Sequence, residues 1–339
     1  MIKQLNKRPS HREDLMRQSR SLKPNLRVRR YSVMTSALLL LGQACLPFPG
    51  WAQERVAKSS QESFATPDLA VEALVASVRS GSGEAILTVL GPEAKRIVSS
   101  GDPTADQAAR ERFLHVYDEG HQTTQDGDSR AVLIIGKDEY PFPIPLAKEG
   151  AAWHFDAKAG EEEILNRRIG ENELKAIEAM RAYVDAQREY ASEDRDGKGI
   201  QYAQKLMSTE GKKDGLFWPI SDGEADSPLG PLIADARAEG YAARSGSPAP
   251  YHGYVFRILK GQGKDAAGGA MDYVARDRMI GGFGLIASPA EYGNSGVMTF
   301  IVNHDGVVFE KDLGPETSKA VARIATFNPD PTWSKVKSE

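Results

Sequence analysis

Residues 170–200, GENELKAIEAMRAYVDAQREYASEDRDGKGI, decide the fold. Leu174, Ile177, Met180, Val184, Gln187 and Ala191 recur at three and four residues, with Tyr183 and Tyr190 at the edge of that stripe. This is the spacing of one helix face. Most other positions hold Ala, Glu, Lys, Arg, Gln or Met, the strong helix formers. Glu171 and Glu173 stand in the first turn, where exposed amide dipoles favour negative charge. A helix over 171–193 runs roughly 35 Å at ~1.5 Å per residue, enough to cross a small domain. Asp194, Asp196, Gly197 and Gly199 then favour a turn. The helix divides the chain into two unlike halves, 64–168 and 169–326, preceded by a polar linker at 53–63 and followed by an extended tail at 327–339.

The first half reads as helices followed by strands. Thr66-Pro67 is a helix start, with Thr as cap and Pro at the first helical position. The helix it opens covers 69–78, with Leu69, Ala73 and Val78 among its apolar side. A second short helix covers 84–90, and a third covers 104–117 with Ala108, Phe113 and Val116 inward. From Arg130 the period changes to two. Residues 131–135 and 151–156 read as strands. Between them EYPFPIPL (139–146) alternates Pro141, Pro143 and Pro145 with Tyr140, Phe142, Ile144 and Leu146, so it reads as an edge strand, because proline cannot donate to a ladder. Residues 161–168, EEEILNRR, read as a short helix, separated from the long one by Gly170. Helices and then a curved antiparallel sheet make a small α+β domain, by analogy a cone like that of nuclear transport factor 2.

The second half is loop-rich over 205–250, with one short helix at 232–239. Strands follow at 251–259, 283–287, 296–302 and 307–311, the last two joined at Asp305-Gly306 as a hairpin. The tail from Phe327 is polar and proline-rich, hence extended on the surface.

The formal net charge of −4 hides an asymmetry. Residues 1–52 hold ten Lys or Arg and two acids, or +8, and the remainder therefore carries −12. An acidic body is a poor partner for nucleic acid, whose phosphates need clustered cations. The basic end has its own reading: Arg27, Arg29 and Arg30, the apolar run 33–41, and Gly50-Trp51-Ala52 follow the order of a secretory signal cut after Ala52. The run is too short to span a bilayer as a stable helix, so no stable membrane insertion is expected once the signal is removed. The destination is the periplasm or the medium. Cys45, the one cysteine, leaves with the signal, which excludes disulfides, thiol catalysis and cysteine-ligated metals from the mature chain.

Candidate chemistry is sparse. His115 and Asp118 are three residues apart on one predicted helix, so they share a face. His121 lies just beyond the helix end. His154 alternates with Trp153 and Phe155 and so points away from those rings. A histidine oriented by a carboxylate is a general-base arrangement, but none of these spacings is a recognised metal signature. The D-x-D-G run puts Asp194 and Asp196 forward as calcium ligands. Counted from Ser192, the twelfth position is Ala203, not the bidentate Glu of a helix–loop–helix site, and Asp with Gly also makes an ordinary turn. No other cofactor is implied.

EYPFPIPL, EEILNRRIG, AYVDAQREYASEDRDGKG and SPAEYGNSGVMTFIVNHDGVVFEKDLG (288–314) resemble an exported bacterial family catalogued as domain of unknown function 2950. The resemblance covers nearly all of 64–335 and implies an envelope or periplasmic location, with no activity, ligand or catalytic residue to carry over. More distantly, the second half resembles the soluble domain of pilins and pseudopilins, a long helix on an antiparallel sheet. Pilin assembly uses an apolar helix continuous with the domain helix, and here the signal lies more than a hundred residues upstream. The expectation is an exported structural or interaction module of the cell envelope with an envelope protein partner. The alternatives are a small-molecule binder or hydrolase with a pocket in the first half, and a calcium-stabilised pilin-like module.

Overall fold

The computed structural model describes residues 61–220, 225–241 and 249–337. The expected signal segment lies outside them. Helix α1 (Pro67–Arg79) opens on Thr66, whose hydroxyl accepts from Leu69 N. Its core face is Ala70, Val71, Leu74, Val75 and Val78, while Leu69, expected inward, is exposed. Helix α2 (Gly83–Leu90) is capped by Ser82. A 3-10 turn (Pro92–Ala94) leads into α3 (Lys95–Val98). Helix α4 (Pro103–Glu119) starts at Asp102, whose Oδ1 accepts from Thr104 N and Ala105 N.

The first sheet holds β1 (His121–Asp126), β2 (Arg130–Ile135), β3 (Tyr140–Pro141), β4 (Leu146–Glu149) and β5 (Ala152–Phe155) in the order β1-β2-β4-β5, with β3 also on β2. Every pairing is antiparallel. EYPFPIPL is not one edge strand. Pro141 pairs opposite Ile134, the chain then leaves the ladder, and Ile144 and Pro145 are buried before β4 begins at the buried Leu146. The apolar members of the alternation do face the core beneath α1 and α2. The outermost strand is β1, HQTTQD, which is almost wholly exposed. Its polar residues carry no alternation from which a strand could be read.

Helix α5 runs unbroken over Ala157–Tyr190, about 50 Å at ~1.5 Å per residue. The break expected at Gly170 does not occur. That glycine faces open space, so nothing but its own propensity opposes the helix there. The first turns of α5 close the first core through Ala157 and Ile164. The last turns form the spine of the second through Ala176, Met180, Tyr183, Val184 and Tyr190. The expected stripe is therefore rotated: Leu174 is 61% exposed, whereas Tyr183 and Tyr190 are 1% and 2% exposed. Buried tyrosines need partners for their hydroxyls. Tyr183 donates to Gly284 O (3.1 Å) and Tyr190 to Lys213 O (2.8 Å). Gln187, fully buried, exchanges two 2.8 Å bonds with the backbone of Ala203.

Beyond α6 (Gly230–Ala238) come β6 (Tyr254–Leu259), the paired β7 (Gly261–Gln262) and β8 (Met271–Asp272), the paired β9 (Val274–Ala275) and β10 (Arg278–Met279), β11 (Gly284–Pro289), β12 (Met298–Asn303), β13 (Phe309–Asp312), α7 (Thr317–Arg323) and β14 (Ser334–Lys335). The larger sheet is β14-β13-β12-β11-β6, antiparallel throughout. Alternation sends Leu285, Phe300 and Val302 to the α5 core, and Ile286 and Ile301 to a second layer with Phe327, Val321 and Trp333. The tail is extended, but it does not stand off the body: Phe327 is buried and β14 adds a strand.

Two glycines of α5 behave in opposite ways. A Cβ on Gly160 would lie 2.6 Å from Pro143 O, whereas one on Gly170 would meet nothing within 4 Å. Gly160→Ala is expected to cost about 1–3 kcal/mol through steric overlap with the backbone. Gly170→Ala is expected to add about 0.5–1 kcal/mol of helix propensity. Urea unfolding of both variants checks the opposite signs.

Candidate functional site

A cavity of 530 Å³ lies between α4, α5 and the segment 142–144, with Glu239, Tyr241 and His252 at its border. Its wall on α5 is Ile164, Arg167, Arg168, Glu171, Asn172 and Lys175, a three-and-four spacing that turns one helix face to the space. On α4, Ala105, Ala108, Ala109 and Arg112 do the same. Here the inward face expected of α4 is only partly a core. Phe113 is half-buried against Phe142 at 5.3 Å between ring centroids, and Ala108 borders the cavity.

The cavity is polar at one end and apolar at the other. Asp102, 1% exposed, holds the polar end. Its Oδ1 caps α4, and its Oδ2 accepts from Tyr241 Oη (3.0 Å) and Gly253 N (2.9 Å). A buried carboxylate is tolerated because its oxygens face a helix N-terminus and hydrogen-bond donors. Tyr241 Oη accepts from His252 N (3.1 Å). Burial, with Asp102 adding to it, raises the Tyr241 hydroxyl above its ordinary value. His252 Nε2 lies 2.8 Å from Glu239 Oε2, without hydrogen-bond alignment. Gly253 is required here. Its φ is +70°, and a Cβ would fall 2.6 Å from Asn172 Nδ2. At the other end of α4, Phe113, Phe142, Ile144 and Ile164 make an apolar floor.

The cavity is set by a clamp built from two of the unusual motifs, NRRIGENE on α5 and AEYGNSG after β11. Arg168 donates to Arg96 O (2.7 Å), Ile97 O (2.6 Å) and Asn294 Oδ1 (2.9 Å). Burial lowers its pKa, and the charge of Asp106 opposes that. Asn172 Nδ2 donates to Ser295 O (2.9 Å), and Glu173 Oε1 accepts from Val297 N and Met298 N (3.0 and 2.9 Å). Asn294 Nδ2 in turn donates to Ser99 O (2.8 Å).

The residues singled out from sequence lie elsewhere. His115 is exposed, with Nε2 4.0 Å from Glu119, while Asp118 accepts from Arg79 (2.6 Å). His154 is half-buried on β5, opposite Ala147, with Trp153 and Phe155 buried on the other face. Neither histidine nor Asp118 borders the cavity, and no hydrogen bond joins the three among the described residues. His121 stacks on Tyr117 at 3.8 Å. Asp194 is exposed. Both oxygens of Asp196 accept from Gln201 Nε2 (2.9 Å), and one also accepts from Lys198 N. Among the described residues no group of three or more His, Cys, Asp or Glu is placed to hold a metal ion. Arg110, Lys175, Tyr241 and His252 were not legible as a set, since four separate segments supply them. The one local signal was Asp102-Pro103-Thr104, a capping sequence.

The family described as Protein of unknown function (DUF2950) matches residues 61–336. Neither the curated proteins nor the solved structures include a match to the chain.

Asp106 lines the cavity and accepts from Ser100 N (3.0 and 3.1 Å). Burial raises its carboxyl above the ordinary value, outweighing those bonds and the nearby arginines. The unfolded chain therefore releases this proton at lower pH than the folded one. Stability from this group falls as pH rises through that interval, and the deficit persists above it. Asp106→Asn is thus expected to melt higher than the parent at pH 7, with the gap closing below the ordinary carboxylate range. Melting temperatures of both proteins at pH 7 and pH 3.5 check this.

Proposed function

Because the chain belongs to the DUF2950 family, which brings no activity with it, we propose from geometry that it is an exported ligand-binding module. The observation that carries this is the cavity: 530 Å³, apolar at one end and bordered by oriented polar groups at the other. Ligand sites have that size and makeup. The order of helices followed by an antiparallel sheet supports the cone-like reading of the first half. The long helix packed on the larger antiparallel sheet supports the pilin-like reading of the second half, which we take as a packing solution rather than an assembly device. Export is supported by the basic, apolar and small-residue order of 27–52. No helix among the described residues is long and apolar enough to cross a membrane.

Contact with an envelope protein partner is the second reading, and one observation favours it. Strand β1 is outermost in its sheet, exposed and polar, so its outer edge is open to a partner strand.

Ala108 borders the cavity without being buried, so Ala108→Trp fills the space at little cost to the fold. Native mass spectrometry of periplasmic protein is expected to show a chain beginning at Gln53 and a bound small molecule that Ala108→Trp loses. A chain retaining residues 1–52 ends the export reading. Identical ligand profiles in parent and variant end the cavity reading.

A further inference from the structure

The charges around the cavity are not equivalent. Arg168 is consumed by three acceptors of the clamp. Arg167 is held by Glu163 and by Tyr140, over whose ring it also lies. Lys175 is paired to Glu178 at 3.0 Å. Arg110 and Arg112 differ. Both border the cavity, and among the described residues neither has a carboxylate within ion-pair distance or a hydrogen-bond acceptor for its guanidinium. Arg110 is half-buried as well. None of the Arg110 guanidinium nitrogens is fully buried, so its five donors are open to an incoming acceptor. These cations also stand in a body whose net charge is −12 outside residues 1–52, so their local field opposes the general one. A cleft with low-dielectric walls focuses such a field on an incoming anion.

Shape adds the second half of the ligand. The α5 wall extends from Ile164 to Lys175, roughly 16 Å at ~1.5 Å per residue. Phe113, Phe142, Ile144 and Ile164 floor one end, while Tyr241, His252 and Glu239 mark the other. The space is long, with one greasy end, and among its lining charges that lack an ion pair or side-chain hydrogen bond to the described residues Arg110 is half-buried, while Arg112 and Glu171 are exposed.

On the reading that this cavity is a ligand site, we propose that its ligand is a single-chain amphipathic anion. The apolar chain lies over Phe113, Phe142 and Ile164, and the carboxylate or phosphate monoester head takes the guanidinium of Arg110, with Arg112 at the mouth. Arginine's planar fork matches either head with two parallel hydrogen bonds.

The test is calorimetric titration of the purified chain with dodecanoate, dodecyl phosphate, dodecanol and acetate, each below its aggregation limit. The two amphipathic anions are expected to bind at least tenfold more tightly than dodecanol or acetate, and their ratio identifies the preferred head. Arg110→Gln is expected to weaken the anions at least tenfold and leave dodecanol unchanged, with Arg110→Lys intermediate. Circular dichroism confirms that each variant is folded. Equal binding of dodecanol and dodecanoate, or no effect of Arg110→Gln and Arg110→Lys, overturns the anion proposal and leaves the cavity reading standing. Acetate binding as tightly as dodecanoate overturns the amphipathic part. Absence of binding by every probe overturns the proposal, and the Ala108→Trp comparison then shows whether the cavity holds a different ligand.

Discussion

The Arg168 guanidinium must find acceptors once α5 has carried it into the interior, and much of the arrangement follows from where it finds them. Two are backbone carbonyls of α3, and the third is a side chain from the turn after β11. Charge-assisted bonds of this kind are about twice as strong as neutral ones, and a buried charge robbed of them is far worse off than a neutral group. Asn172 and Glu173, one turn further on, hold the same incoming turn by its backbone. The residues that make the family's motifs recognisable therefore serve position first. They tie α5 to α3 and to the turn after β11, and the cavity lies beside that junction.

Asp102 mirrors this logic with the opposite sign. It is a buried carboxylate serving a helix start on one oxygen and two distant segments on the other. Together the two charges fix the cavity walls through groups that are themselves committed. Arg110 and Arg112 are left outside this accounting, which separates the residues that build the space from those free to meet its contents.

What could be read from the chain depended on whether the signal was local. Thr66-Pro67, the period of 170–190 and the Asp305-Gly306 hairpin each carry their information within a few residues, and each is present. Strand β1 is polar on both faces, and its strand character comes only from its partner β2. The buried face of α5 keeps Ile177, Met180, Val184 and Gln187 but extends to Tyr183 and Tyr190, which pair their hydroxyls with carbonyls supplied by residues far along the chain. The face of α4 that reads as core is only partly one, since Phe113 and Val116 pack on the first core while Ala108 borders the cavity. Periodicity tells which side turns inward, not what waits there. The histidines drew notice by chemical type alone, and the structure puts them on surfaces that do not converge.

The unbroken α5 has one further consequence. Its first turns belong to one hydrophobic core and its last turns to another, with no hinge between them at Gly170. Melting either core unravels an end of a rod the other requires, so the two halves share a single cooperativity. Two of the three hydrophobic clusters thus share one rod, and coupled melting of those two is the expected consequence.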